Sequence, residues 1–212
     1  VLSNISHEFK TPVNVIYSTV QIQDLNLQKE DYDKILEFNK LIKQNCNRLI
    51  RLINNFIDST KLENNKVEIH KKRVNIVSIT EDITMSVINF AKRQKIDVVF
   101  DAEQEELYCD IDIDQMERIM LNILSNAIKY NKPNGNIDVI VKDRKEKVYI
   151  DVIDSGIGIP KDRINTIFDR FERMENKNAV IKEGSGIGLS IVKKLVDALD
   201  GEINIESEVD KG

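Results

Sequence analysis

The chain opens with apolar residues spaced three and four apart, which is the period of an amphipathic helix. This stripe consists of Leu2, Ile5, Phe9, Val13, Ile16 and Val20. A polar stretch from Asp24 to Asp33 interrupts it, and apolar residues at heptad spacing resume from Ile35 to about Leu62. The pattern predicts an α-helical hairpin. Because two such wide stripes cannot be buried within one hairpin, we expect two copies to pair into a four-helix bundle.

After Lys66 the period changes, and short apolar runs of strand length alternate with helical segments. This alternation predicts a helical domain over residues 1–66 and a separate α/β domain over residues 67–212. Helices are expected at Ile76–Arg93, Asp114–Tyr130 and Gly188–Leu199. Strands are expected at Ile96–Phe100, Leu107–Cys109, Ile137–Val141, Val148–Ile153 and Glu202–Ser207.

The composition of the chain excludes several classes of function. The 212 residues are 41% hydrophobic, which is enough for a core, and their net charge of −5 offers no broad basic surface for nucleic acid. The two cysteines, Cys46 and Cys109, lack metal-ligand spacing and fit a reducing, cytosolic environment. No apolar run approaches the roughly 18 residues of a membrane span. The chain starts without methionine inside a helical pattern, so we expect a fragment of a longer protein.

The first helix carries a histidine on the face opposite its apolar stripe. His7 therefore lies on the solvated side, with Thr11 one turn further on. Pro12 removes the amide that would bond the Glu8 carbonyl, which predicts a kink or a loosened turn. A carboxylate that accepts one ring proton makes the other ring nitrogen a better nucleophile, and Glu8 is the nearest candidate. Taken alone, this pattern is more typical of an ordinary surface histidine.

Two glycine clusters suggest a nucleotide site, although the chain has neither a P-loop nor a dinucleotide-binding fingerprint. The clusters are Asp154, Gly156 and Gly158 after a strand, and Gly184, Gly186 and Gly188 before a helix. Backbone amides at a helix N-terminus stabilise phosphate, and a carboxylate at a strand end can accept the exocyclic amino proton of adenine. Each turn by itself is more typical of an ordinary tight turn.

A polar stripe follows the second predicted helix of the α/β domain. Asn122, Asn126 and Lys129 fall on one face, and Tyr130 follows directly. Amide oxygens suit Mg²⁺ that keeps some of its waters, a lysine suits phosphate, and a tyrosine ring offers a stacking surface. A pair of asparagines on a helix is weak evidence by itself, because solvated faces carry asparagine widely.

Five motifs occur in one order along nearly the whole chain. They are Ser6-His7-Glu8-Phe9-Lys10-Thr11-Pro12, Asn122-Ile-Leu-Ser-Asn126-Ala-Ile-Lys129-Tyr130, Asp154-Ser-Gly156-Ile-Gly158-Ile159, Phe168-Asp-Arg-Phe171-Glu-Arg173 and Gly184-Ser-Gly186-Ile187-Gly188-Leu189. In order and spacing they resemble the boxes of sensor histidine kinases. The resemblance implies a dimerisation and histidine-phosphotransfer hairpin, followed by a Bergerat-type ATP-binding α/β two-layer sandwich. It also implies a final strand beyond Gly212, which this chain lacks.

By this resemblance, the chain is an ATP-dependent histidine kinase that phosphorylates itself on His7 and passes the phosphoryl group to an aspartate of a response regulator. Glu8 corresponds to the base that acts on the histidine. Thr11 corresponds to the residue that orients water when the receiver domain is dephosphorylated, so a phosphatase activity is also implied.

The resemblance also assigns the ATP and Mg²⁺ site. Asn126 is implied to be the Mg²⁺ ligand, Asn122 a neighbour of the phosphates, and Asp154 the adenine-binding carboxylate. Lys129 and Arg173 are implied to contact phosphates, and Tyr130 the adenosine. The remaining pocket and lid positions are Gly156, Gly158, Ile159, Phe168, Gly184, Gly186, Ile187, Gly188 and Leu189, with a mobile lid over Met174–Glu183.

Other proteins share the nucleotide-binding fold, including ATPase clamps and a related class of serine kinases. The N-terminal hairpin argues against both, and Asn122 stands where the clamps have a water-activating glutamate. A third alternative, a non-catalytic scaffold, is disfavoured because all candidate catalytic residues are present. The resemblance further implies a homodimer through residues 1–66, a receiver-domain partner, no nucleic acid, and a cytoplasmic position in a sensor anchored to the membrane by segments outside this chain.

Overall fold

The computed structural model describes residues 2–27, 32–63, 68–145, 147–169 and 187–212. The chain divides into two compact units, Val1–Lys66 and Val67–Gly212. Among the residues described, no helix combines the length and apolar character that crossing a membrane requires.

The first unit consists of two helices, α1 (Leu2–Leu27) and α2 (Tyr32–Glu63), which pack against each other. The Gln23 side-chain amide donates a hydrogen bond to Asn39 Oδ1 across the pair (3.3 Å). α1 continues without interruption through Pro12, whose side chain is fully buried. It also runs to Leu27, past the predicted end at Asp24, because the intervening residues include no glycine or proline to stop it.

The hairpin leaves part of its apolar surface uncovered. On α1, Phe9 and Ile16 are half-buried, whereas Val13 is 48% and Tyr17 65% exposed. On α2, Leu36 is 67% exposed. Packing of α1 against α2 therefore does not bury all of the apolar side chains that lie at heptad spacing.

The second unit is an α/β structure. Its elements are β1 (Lys72–Asn75), α3 (Ile76–Arg93), β2 (Asp97–Ala102), β3 (Tyr108–Ile111), α4 (Ile113–Lys129), β4 (Asn136–Arg144), β5 (Lys147–Asp154) and α5 (Gly188–Ala198). β4 is the central strand of a mixed sheet, parallel to β2 and antiparallel to β5, while β1 and β3 form a separate antiparallel pair. The predicted order of a helical hairpin followed by an α/β domain is confirmed.

The core of this unit lies between the mixed sheet and helices α3 and α4. Period-two alternation buries Ile137, Val139 and Val141 of β4 almost completely. The facing side chains come from the buried stripes of the two helices, including Ile83 of α3 and Leu124 of α4. This packing fixes α4 with its opposite, polar face directed away from the core.

The predicted strand at Glu202–Ser207 is wrong. Residues 201–208 pair with no strand in the described part of the chain, although their exposure alternates as in an extended segment. Side chains make the contacts instead. Lys147 Nζ lies 2.6 Å from Glu202 Oε1, and the Ile159 amide donates to Ser207 Oγ (2.8 Å). Alternation predicts an extended conformation, but a strand also requires a backbone partner.

Two consecutive residues fasten the start of the second unit to two helices. The His70 amide donates to Asp112 Oδ2 (2.8 Å), and Asp112 Oδ1 caps α4 by accepting from the Gln115 amide (3.1 Å). Lys71 Nζ lies 2.7 Å from Asp200 Oδ2 and donates to the Leu199 carbonyl just after α5 (3.4 Å). Residues 70 and 71 therefore connect the end of α5 with the beginning of α4.

Replacing Asp112 with alanine is expected to lower the free energy of unfolding of this unit by about 1–2 kcal/mol, because a helix cap and a buried acceptor are lost together. Burial opposes ionisation of Asp112, but the backbone amides of His70, Gln115 and Asp114 donate hydrogen bonds to it. Their net effect is a pKa below the usual value. The ionised carboxylate thus stabilises the fold above its unfolded-state pKa of about 3.9, and this contribution disappears as the pH falls through the lower folded-state pKa.

Urea unfolding at pH 7 and at pH 3 tests this expectation. Asp112→Asn can still cap α4 through its amide oxygen, but it removes the charge and the acceptor of the His70 amide. It should therefore lose less stability than Asp112→Ala at pH 7 and should lack the carboxylate's pH dependence. Equal stability of wild type and Asp112→Ala at pH 7 would contradict the assignment.

Candidate functional site

Helix α4 supplies the polar face on which the site is built. Asp112 caps its first turn, and its buried stripe, which includes Met116, Met120 and Leu124, holds it against the core. Asn122, Asn126 and Lys129 lie on the opposite side, each half-exposed, as predicted from their spacing.

Asn122 lies directly against the beginning of α5. Its side-chain amide donates to the Arg118 carbonyl one turn earlier (2.8 Å), which orients the amide group. Its Oδ1 would be 2.9 Å from a Cβ placed on Gly188, the first residue of α5. Only glycine fits this approach without displacing the asparagine. No side chain caps the α5 N-terminus in the part of the chain that the structure describes.

Asn126 occupies the next turn of the same face. Among the described residues, no hydrogen bond is made by its side chain, which leaves both amide atoms open to a ligand. Nearby, Lys129 Nζ donates to Tyr130 Oη (2.9 Å) and lies 4.5 Å from the centre of the Tyr130 ring. This contact combines a hydrogen bond with a cation–π interaction and holds the ammonium at the C-terminal end of α4.

The loop after β5 packs against this same C-terminal end of α4. Asp154 Oδ1 accepts a hydrogen bond from the Gly156 amide (2.8 Å), and the Ile157 amide donates to the Tyr130 carbonyl (3.1 Å). A Cβ on Gly156 would stand 2.6 Å from that same carbonyl oxygen. Gly158 has φ of +66°, and a Cβ there would stand 2.0 Å from the Glu208 carbonyl oxygen. Both glycines are therefore required by close backbone approaches.

The structure thus brings two groups of predicted residues together, Asn122 with Gly188 and Tyr130 with the Asp154–Gly158 loop. α4 joins the two groups. Other predicted residues are placed individually. Ile187 is buried before α5, Leu189 is half-buried in its first turn, and the half-buried Ile159 follows the glycine loop. Phe168 lies half-buried in a series of turns over residues 161–168.

Several predicted residues lie outside the described part of the structure. They are Arg173, Gly184, Gly186 and the predicted lid Met174–Glu183. His7 and Glu8 belong to α1, but their side chains are not among those described. Thr11 is exposed on α1, one turn after His7.

Sequence reasoning missed two polar residues beside the Asp154 loop. Asn131 is only 4% exposed, and its Oδ1 accepts a hydrogen bond from Ser155 Oγ (3.1 Å). Two signals pointed toward them: the turn-forming run Asn131-Lys-Pro-Asn-Gly135 and the hydroxyl between Asp154 and Gly156. Neither signal shows that the two side chains meet.

Each of the two units matches a known protein family. Residues 1–65 match the family model of the His Kinase A (phospho-acceptor) domain. Residues 111–212 match that of the histidine kinase-, DNA gyrase B- and HSP90-like ATPases. Sensor histidine kinase YcbM of Bacillus subtilis is 30% identical over 210 residues, which cover 98% of this chain and 67% of YcbM. The chain belongs to the sensor histidine kinases. The family predicted from the five motifs is therefore confirmed.

Other sensor histidine kinases and their solved structures extend the comparison. A histidine kinase of Formosa agariphila is 34% identical over 208 residues, 96% of this chain but only 15% of that protein. The chain therefore spans a small part of this relative. The solved structure of histidine kinase ThkA in complex with response regulator protein TrrA matches with a TM-score of 0.72 at 22% identity. It covers 94% of this chain and 55% of the ThkA chain, and it supports the fold.

Proposed function

We propose that this chain is the catalytic core of a sensor histidine kinase that transfers the γ-phosphoryl group of ATP to His7. The phosphoryl group then passes to an aspartate of a response regulator receiver domain. The observation that carries the proposal is the position of the α4 polar face, which extends from the beginning of α5 to the Asp154 loop.

The residues present fit a nucleotide that spans this distance. The N-terminal amides of α5 favour phosphate, since they are uncapped among the described residues and lie beside Asn122. At the other end, Asp154 uses Oδ1 for the Gly156 amide, which leaves Oδ2 to accept the adenine amino group. Lys129 and Tyr130 lie at this same end of α4 and suit a phosphate and the adenosine.

The residues also fit a magnesium ion bound together with the nucleotide. Asn126 offers an amide oxygen without a partner among the described residues, and Asn122 offers Oδ1 beside α5. In the described part of the chain no group of three His, Cys, Asp or Glu side chains could hold a metal alone, so phosphate and water oxygens would complete its ligands. When bound, Mg²⁺ neutralises phosphate charge and so favours transfer.

The hairpin would supply the acceptor. His7 is the nucleophile and Glu8 is the base that increases the nucleophilicity of its free ring nitrogen. The uncovered apolar side chains of α1 and α2 support pairing of two copies through residues 1–66. We further propose that the full-length protein is a membrane-anchored sensor with this part on the cytoplasmic side.

Incubating the purified chain with γ-labelled ATP and Mg²⁺ tests the function. We expect a protein-bound label that is stable to alkali and labile to acid, as a phosphoramidate is. Addition of a receiver domain should move the label to an acid-stable, alkali-labile aspartyl phosphate. A chain that binds ATP but incorporates no label would contradict the kinase assignment.

Thr11 carries a second proposed activity, dephosphorylation of the receiver domain. Its exposed position one turn after His7 suits the placement of a water beside a docked aspartyl phosphate. Thr11→Ala should therefore autophosphorylate at the wild-type rate and dephosphorylate a phosphorylated receiver at least about tenfold more slowly. Equal receiver turnover by Thr11→Ala and wild type would exclude this role.

A further inference from the structure

A buried asparagine outside the predicted site connects the end of α4 to the loop that holds Asp154. Asn131 follows Tyr130 directly, and its side chain makes three hydrogen bonds. Nδ2 donates to the Asn136 carbonyl (3.0 Å), while Oδ1 accepts from the Lys132 amide (2.9 Å) and from Ser155 Oγ (3.1 Å). With only 4% of its surface exposed, the side chain has little freedom to rearrange.

Ser155 completes the connection. Its Oγ accepts a hydrogen bond from the Asn136 amide (2.9 Å) while it donates to Asn131. Its own amide donates to the Asn136 carbonyl (3.2 Å). The packing around this network is tight, because a Cβ on Gly135 would stand 2.2 Å from Asn131 Oδ1 and 2.6 Å from Ser155 Oγ. Because the asparagine at its centre is buried and bonded on both sides of its amide, this network favours a single arrangement of the loop.

The network acts on the residue next to Ser155. Asp154 is fixed on its C-terminal side by the Gly156 amide and by the bond from the Ile157 amide to Tyr130. Ser155 anchors the same loop to Asn131. The carboxylate of Asp154 is therefore held at a set distance from the C-terminal end of α4, where Lys129 and Tyr130 lie.

We propose that Asn131 is a positioning residue for adenine recognition, acting through Ser155 to set the direction of the Asp154 carboxylate. The inference rests on the proposed function, because it takes Asp154 to be the acceptor of the adenine amino proton. Asn131 is proposed to act without contacting the nucleotide itself. Its effect should appear as selectivity for the base.

The test compares the affinities of two nucleotides, ATP and purine riboside triphosphate, which lacks only the exocyclic amino group. Wild type should prefer ATP by at least about tenfold, as expected for a hydrogen bond to a charged group. In Asn131→Ala and Ser155→Ala this preference should fall to within about threefold, because ATP binds less tightly while the analogue is little affected. Titration calorimetry of the whole chain measures both affinities.

Two further variants make the test specific. Asn136→Ala removes an exposed side-chain bond to Asp138 but keeps the backbone groups that Ser155 uses, so it should retain the wild-type preference. Ser155→Thr keeps the hydroxyl and should retain most of the preference for ATP over the analogue. If Asn131→Ala does not fold, Ser155→Ala tests the same connection without opening a cavity at the asparagine.

The outcomes separate this inference from the proposed function. If wild type binds ATP without preference over the analogue, the adenine assignment of Asp154 is wrong, and the inference fails with it. If wild type shows the preference and both alanine variants keep it, only the positioning role is wrong. An equal loss of affinity for the two nucleotides would indicate a general structural role and would also overturn the inference.

Discussion

The His7→Gln variant is expected to bind ATP with wild-type affinity and to incorporate no phosphoryl group above background. Glutamine approximates the size and polarity of histidine but has no ring nitrogen with a nucleophilic lone pair, so the acceptor is removed. The residues proposed to bind ATP belong to the second unit, Val67–Gly212, whereas His7 lies on α1 of the first. Binding and labelling should therefore separate completely in this variant.

Labelling with γ-labelled ATP and titration of a nucleotide analogue measure the two properties. Lys10→Gln is the matched control, since it places the same side chain at an exposed position of α1 less than one turn away. It should be labelled like wild type. Label that persists in His7→Gln would mean that another residue is the acceptor, and a loss of nucleotide binding would contradict separate acceptor and nucleotide sites.

The Asn126→Ala variant is expected to lose at least about 100-fold in the initial rate of labelling, because an oxygen that helps to neutralise phosphate charge is removed. The fold should be unaffected. The Asn126 side chain is half-exposed and makes no hydrogen bond within the described part of the chain, and alanine favours a helix more than asparagine does.

Ser125→Ala provides the control for Asn126→Ala. Ser125 is the exposed neighbour of Asn126 on α4, so its replacement tests for an effect of any substitution at this turn. It should be labelled at the wild-type rate and unfold at a similar temperature. A wild-type labelling rate in Asn126→Ala would remove the metal assignment. A large fall in its melting temperature would instead indicate a structural role.

The elements that the sequence predicted best are those whose own residues determine both periodicity and ends. α3 begins and ends where predicted, at Ile76 and Arg93, because Asn75 caps its first turn by accepting a hydrogen bond from the Val77 amide (3.2 Å). The strand predicted at Glu202–Ser207 is absent because pairing depends on a partner elsewhere in the chain. The short strand β1 is not among the predicted strands for the converse reason, since its pairing with β3 is not visible in a basic segment of four residues.

In the site, too, local spacing predicts some features, whereas contacts between distant parts of the chain determine the others. The spacing of Asn122, Asn126 and Lys129 predicts their common face, because a helix repeats every 3.6 residues. Asn122 Oδ1 would lie 2.9 Å from a Cβ placed on Gly188, and these two residues are far apart in sequence, so no local pattern contains their close approach. The contact between Asn131 and Ser155 is of the same kind, which is why the sequence did not indicate that these two side chains meet.

The bonds made by His70 and Lys71 determine where the second unit can be cut from the hairpin for separate production. A polypeptide that starts at Lys72 keeps every helix and strand of that unit, so its secondary structure gives no sign that anything has been removed. It would nevertheless leave Asp112 without the His70 amide and Asp200 without the Lys71 ammonium. A polypeptide that starts at Glu68 keeps both bonds and should be the more stable starting material for crystallisation or calorimetry.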